Sequence, residues 1–177
     1  MGSTTGLTTR GFAGLVLAAS GAVLGTAVLS QYWGGLAPCE LCLAQRWPWA
    51  AAIVISLIVL LVGERAPLSW VALVFAVVFV IGVVLAFYHV GVEQHWFAGP
   101  TACTAPSGSA MTLEQMKQQI LGTAPVLCDR PAWTLFGVSL AGWNLLASLI
   151  MTSCCVAALL HGARRRGVAL GAPRGLA

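Results

Sequence analysis

The chain reads as an all-α membrane protein, a four-transmembrane-helix bundle with one long loop carrying a short amphipathic helix. Three observations predict this. Of its 177 residues 59% are hydrophobic and only 8% are charged, against about 25% charged in a soluble domain. Four apolar runs, at about 11–31, 43–62, 69–90 and 134–161, each reach the roughly 20 residues needed to cross a bilayer. Between them only the stretch 91–133 is long and polar. No internal repeat, low-complexity tract or linker interrupts the pattern, so a single four-helix membrane domain is expected over 1–177.

The first run follows Arg10. At about 20 apolar residues it exceeds the 7–15 of a secretory signal core, and it is expected to remain as a span. The second run begins just after Pro38-Cys39-Glu40-Leu41-Cys42, where the proline helps set the turn into the helix. The third ends at Tyr88-His89, with Glu93 and His95 read as solvated loop groups beyond it. In the loop, a Gly99-Pro100 break and a Pro106-Ser107-Gly108-Ser109 turn precede Met111 to Leu121, where apolar and polar residues alternate at roughly helical spacing. That stretch suits a helix lying flat on the membrane surface or packed on the end of the bundle. Gly122 and Pro125 end it. The fourth run holds Cys154 and Cys155, read as small polarisable residues that help helices pack. Trp33, Trp47, Trp49, Trp96 and Trp133 collect toward one interface as an aromatic belt.

Charge sets the orientation. Arg10, Arg65, Arg164, Arg165, Arg166 and Arg174 fall on one side of the four runs, and Lys117 and Arg130 on the other, with Arg46 just inside the second helix. Basic residues near span ends stay in the cytoplasm, so both termini are expected there. The net charge of +4 forms no basic, aromatic-interleaved face of the kind that binds nucleic acid.

The four remaining cysteines then lie on the outer side, where disulfides persist. Cys39 and Cys42 flank a Cys-x-x-Cys at a helix start, and Cys103 and Cys128 lie at either end of the polar loop's middle. A helix N-terminus favours thiolate at Cys39, while the adjacent Glu40 opposes it. Arg46, four residues after Cys42 and seven after Cys39, is expected on the same helix face, where its fixed positive charge can stabilise a thiolate or an oxyanion. A static bridge remains an alternative for either pair. A zinc site would need a further ligand pair at close spacing, and none is visible around Cys103 and Cys128, so no metal is expected. His89 fits two readings, an interfacial anchor or a hydrogen-bond donor to a cofactor.

The Pro-Cys-Glu-Leu-Cys motif, Arg46, Cys103 and Cys128 between the third and fourth spans, Tyr88-His89 and the four-span layout together resemble the disulfide bond formation protein B (DsbB) family. The resemblance covers about 11–160. It implies a bacterial inner-membrane thiol:quinone oxidoreductase that reoxidises a periplasmic DsbA-like thioredoxin-fold oxidase and passes the electrons to ubiquinone or menaquinone. It also implies the roles: Cys103 attacked by the partner, Cys128 its loop partner, Cys39 and Cys42 the second pair, Cys42 the sulfur that meets quinone, and Arg46 and His89 at the quinone site. Two other readings compete. A vitamin K epoxide reductase-like enzyme also pairs a four-helix bundle with two cysteine couples, but there the helix-end pair falls late in the chain and the loop pair early. A non-catalytic membrane protein whose cysteines staple its loops is the other.

Overall fold

The computed structural model describes residues 7–100, 112–114, 117 and 126–171, with side chains as far as Arg164. Its order is α1 (Thr9–Tyr32), α2 (Glu40–Ala44), α3 (Arg46–Val62), a 3-10 turn (Gly63–Arg65), α4 (Leu68–Glu93), β1 (Thr134–Leu135), β2 (Val138–Ser139) and α5 (Leu140–Gly171). Four stretches are long and apolar enough to cross a membrane: Thr9–Tyr32, Glu40–Arg65, Leu68–Glu93 and Leu140–Arg164. The all-α membrane bundle expected from composition is therefore present.

Side-chain caps start α1, α2 and α5, whereas α3 and α4 begin without one. Thr8 accepts from the Gly11 N–H at 3.0 Å. Two more of the orphan N–H groups of α1, those of Thr9 and Arg10, go to the Glu64 carboxylate at 3.1 and 3.0 Å, which meets the positive end of the helix dipole as well. That contact ties the start of α1 to the α3–α4 turn, so both lie at one end of the bundle. Pro48, lacking an N–H, withholds the bond that Ala44 would otherwise accept, and the chain breaks at Gln45 into α2 and α3.

Two corrections to the expected boundaries follow. The second membrane helix begins three residues earlier than position 43, because Cys39 itself is the cap. The fourth run is not helical from 134: Phe136 and Gly137, at φ 53° and 77°, form a two-residue turn of the type that joins tight hairpins, and residues 134–139 pair as antiparallel strands with Thr134 opposite Ser139. Ser139 then caps α5 by accepting from the Gly142 N–H at 3.0 Å. Of the expected amphipathic helix, Leu113, Glu114 and Lys117 are helical; Met111 and most of its remainder lie outside the described residues.

The helices pack chiefly as α1 on α3 and α4 on α5, with α3 joining the pairs through α4. Phe12, Val16, Trp49, Ala52, Phe75, Phe79, Met151 and Cys155 form the core. Phe12 meets Phe75 edge to face at 5.9 Å, and Trp49 meets Phe79 likewise at 5.2 Å. Small residues let the backbones approach: a Cβ on Gly82 would sit 3.2 Å from Ser148 Oγ and 3.5 Å from Pro48 Cβ. Outward faces carry Leu57, Ile58, Leu61, Val77, Val84 and Ile150 in the open, the pattern that lipid requires. Trp33, Trp47, Trp96 and Trp133 are exposed as belt residues should be, but Trp49 is only 2% exposed. It is a core residue, because position 49 turns inward once the helix breaks at Gln45. Of the two adjacent cysteines in α5, Cys155 packs in the core as expected, whereas Cys154 is exposed.

Candidate functional site

The site lies at the end of the bundle opposite the Glu64 cap, where α2 begins. Cys39, as N-cap, turns its sulfur back over the first turn and accepts from the Cys42 N–H at 3.3 Å. It donates its own S–H to the Cys42 sulfur at 3.0 Å. The two cysteines are free in this structure, with their sulfurs facing each other. Cys39 is almost wholly buried and forms one cluster with Leu41, Val92 and Cys128, against which Cys42 and Tyr88 also pack. The fold thus brings one loop cysteine, Cys128, into the packing shell of the helix-end pair. Cys103 lies outside the described residues.

Helix-start thiolate stabilisation was the expectation for Cys39, and the structure reverses it. Its pKa is pushed up to about 12. The first cause is the hydrogen bond it gives to Cys42, which deprotonation would forfeit, and the second is burial; contact with His89 pulls only partly the other way. Glu40, the expected opponent, is exposed.

Arg46 shares a cavity wall with Cys42, and Cys39 is not part of it. Arg46 and Cys42 line this cavity of about 350 Å³ together with Gln45, Asn144 and the apolar residues Ala22, Val23, Ala27, Leu36, Leu140, Ala141 and Ala147. The Arg46 guanidinium is held against α1 by Gln31 Oε1 at 2.8 Å and the Ala27 carbonyl at 3.4 Å. The volume falls within the range of about 300–1,000 Å³ typical of small-molecule sites, and a few polar groups in mainly apolar walls complete the pattern.

His89, 2% exposed, is not part of that cavity wall. It sits behind the sulfur pair, with Nε2 3.7 Å from Cys39 Sγ and 3.9 Å from Glu93 Oε1. Glu93 is the second correction among the acids and bases: it ends α4 rather than floating in a loop, its side chain is 5% exposed, and Ser139 donates to its other oxygen. On the far side of the ring, Gln45 donates to Nδ1, Asn144 donates to Gln45 Oε1, and the Trp49 indole N–H donates to Asn144 Oδ1 at 2.7 Å. The donor atoms of Cys39, Cys42 and His89 lie within 4.8 Å of one another.

Gln45 and Asn144 are not singled out in the sequence, and Glu93 is read there only as a solvated loop group. A signal exists for Asn144, since an amide inside an apolar span is costly and tends to be functional.

Comparison with known proteins identifies the family. The family model for disulfide bond formation protein DsbB matches residues 9–158. The chain is similar to disulfide bond formation protein B of Aromatoleum aromaticum, at 27% identity over 88% of this chain and 93% of that one. It is equally similar to the protein of that name from Stutzerimonas stutzeri, 27% over 80% and 89%. An uncharacterized protein of Rickettsia prowazekii is 25% identical over 72% and 74%. No solved structure gives a significant match. With four membrane-crossing helices, a dithiol at one end and a family match over most of its length, the chain belongs to the DsbB family of disulfide bond formation proteins, multi-pass membrane oxidoreductases.

Proposed function

We propose that this protein is an inner-membrane thiol:quinone oxidoreductase that reoxidises a periplasmic DsbA-like thioredoxin-fold oxidase, with both termini cytoplasmic and the reactive cysteines periplasmic. One observation carries the reading: Cys42 lines the cavity with Arg46, while the buried Cys39 beside it lies in one packed cluster with Cys128. The pair thereby borders both the cavity and the loop cysteine. A strong thiol oxidant can be regenerated only by a stronger acceptor, and quinone, when bound, supplies that by taking two electrons and two protons.

The residues of this chain then divide the work. Starting from two bridged pairs, Cys103 takes the attack of the partner's thiolate as the Cys103–Cys128 bond breaks, and the partner's second thiolate then displaces Cys103 and leaves as the oxidised partner. The freed Cys128, in the same packed cluster as Cys39, attacks that sulfur; the Cys39–Cys42 bond breaks and Cys42 is freed at the cavity wall. Arg46 faces the same space and offers charge-assisted hydrogen bonds to an oxygen gaining negative charge. Apolar walls from α1 and α5 exclude water around it. The clustering of Arg10 with the 63–65 turn, at the end away from the cysteines, supports the orientation by the positive-inside rule.

The test is quinone reduction by the purified protein in detergent, driven by a reduced thioredoxin-fold oxidase, with Cys42→Ser and Cys103→Ser alongside. Loss in both variants is expected. No reduction by the intact protein supplied with quinone would refute the proposal and favour cysteines that merely staple the loops.

A further inference from the structure

A chain of three side chains leads from the core to the ring of His89, and each link fixes the next. An indole N–H can donate but never accept. Trp49, bonded to Asn144 at 2.7 Å, therefore requires the oxygen of Asn144. The amide nitrogen of Asn144 is left to point at Gln45, which must answer with its oxygen. Gln45 is then left with only N–H groups to present to His89 Nδ1. That nitrogen must accept, so the proton of the neutral ring resides on Nε2, the atom 3.7 Å from Cys39 Sγ.

We infer that Trp49, Asn144 and Gln45 are positioning residues that lock His89 in the Nε2–H tautomer and make it a dedicated hydrogen-bond donor to the Cys39 sulfur. The arrangement has two chemical consequences. Neutral His89 holds no lone pair toward Cys39, so it steadies a thiolate there instead of removing the thiol proton. The same N–H occupies the direction in which a metal would need a lone pair, so the compact Cys39, Cys42 and His89 group is set up as a thiol site. Among the described residues, the titratable groups packed around His89 and Cys39 are Glu93 from α4, 3.9 Å from Nε2, Tyr88 from α4, Cys42 from α2, and Cys128 from the segment before β1. The inference rests on the proposed function only in taking Cys39 as a reactive sulfur.

The experiment uses the reduced full-length protein in detergent, labelled with 15N-histidine, with the His89 signal identified by its loss in His89→Leu. Wild type is expected to give the neutral Nε2–H signature at pH 7. Gln45→Glu and Asn144→Asp, nearly isosteric but richer in acceptors, are expected to introduce the Nδ1-protonated form, the second of them without touching the ring. An Nδ1–H ring in wild type, or an unchanged tautomer in both variants, would overturn the inference. In a Cys42→Ala background, His89→Leu is further expected to move the pH midpoint of Cys39 alkylation upward; an unmoved midpoint would remove Cys39 as the recipient. Neither readout involves quinone or partner, so failure here and failure of the relay are separately visible.

Discussion

Replacing Cys42 by alanine is expected to make Cys39 more reactive. In the intact dithiol, Cys39 gives its proton to Cys42 at 3.0 Å and lies buried among Leu41, Val92 and Cys128. Its pKa rises from 9.0 to about 12 with the Cys42 contact as the largest cause. Three decades separate those values, so at pH 8 the thiolate fraction is depressed roughly a thousandfold relative to an unperturbed cysteine. Cys42→Ala deletes the leading cause and leaves burial and the His89 contact, which oppose each other. At least one of the three decades should return. The assay is pulsed alkylation of the reduced protein with iodoacetamide between pH 6 and 11, reading the Cys39 peptide by mass spectrometry. The pH midpoint is the quantity of interest, because slow entry to a buried sulfur lowers every rate without moving it. The sign also fixes a stability window: a raised pKa costs nothing below the unfolded value near 9 and weakens the folded dithiol as pH climbs from there toward about 12. A midpoint near 9 in the intact dithiol, or one that does not fall in Cys42→Ala, would refute the account of how this pair shares its proton.

Arg46→Ala should raise the apparent KM for a soluble quinone by about 10- to 100-fold, the worth of roughly 1.5–3 kcal/mol for a charged hydrogen bond, with helical content unchanged; unaltered steady-state quinone kinetics would remove it from the site. Ala147→Trp, which fills the cavity from α5, should abolish quinone reduction while leaving exchange between the loop cysteines and the reduced oxidase intact, and joint loss of both would argue against separate compartments for the two. Trp49→Phe keeps the ring against Phe79 but leaves Asn144 Oδ1 without its donor. It should lower thermal stability in detergent by an amount equivalent to about 1–3 kcal/mol, and an unchanged midpoint would mean that water replaces the indole.

Much of this protein is written in local composition. Four runs of apolar residues can be satisfied in a bilayer only as helices, so the class and the approximate spans follow without any tertiary information. The Cys-x-x-Cys at a helix start is equally local, since three residues of spacing place both sulfurs on one turn wherever that turn lies. Boundaries were less legible where two signals compete: the apolar character of 134–139 resembles more helix, but Phe136 and Gly137 at positive φ turn it into a hairpin, and only Ser139 capping Gly142 fixes where α5 begins.

The sequence by itself determined that a dithiol sits at a membrane helix end with an arginine four residues beyond. Only the tertiary structure decided which way each of these groups faces. A cap residue points back across its helix while a residue within it points outward, so Cys39 meets His89 in the buried cluster that also holds Cys128, and Cys42 meets the cavity with Arg46. Glu93, 54 positions after Cys39, and Asn144, 99 after Gln45, enter the site from α4 and α5. Their spacing in the chain carries no trace of the contact, because helix packing sets those neighbours by burial and complementary hydrogen bonding across elements, quantities that no single segment contains.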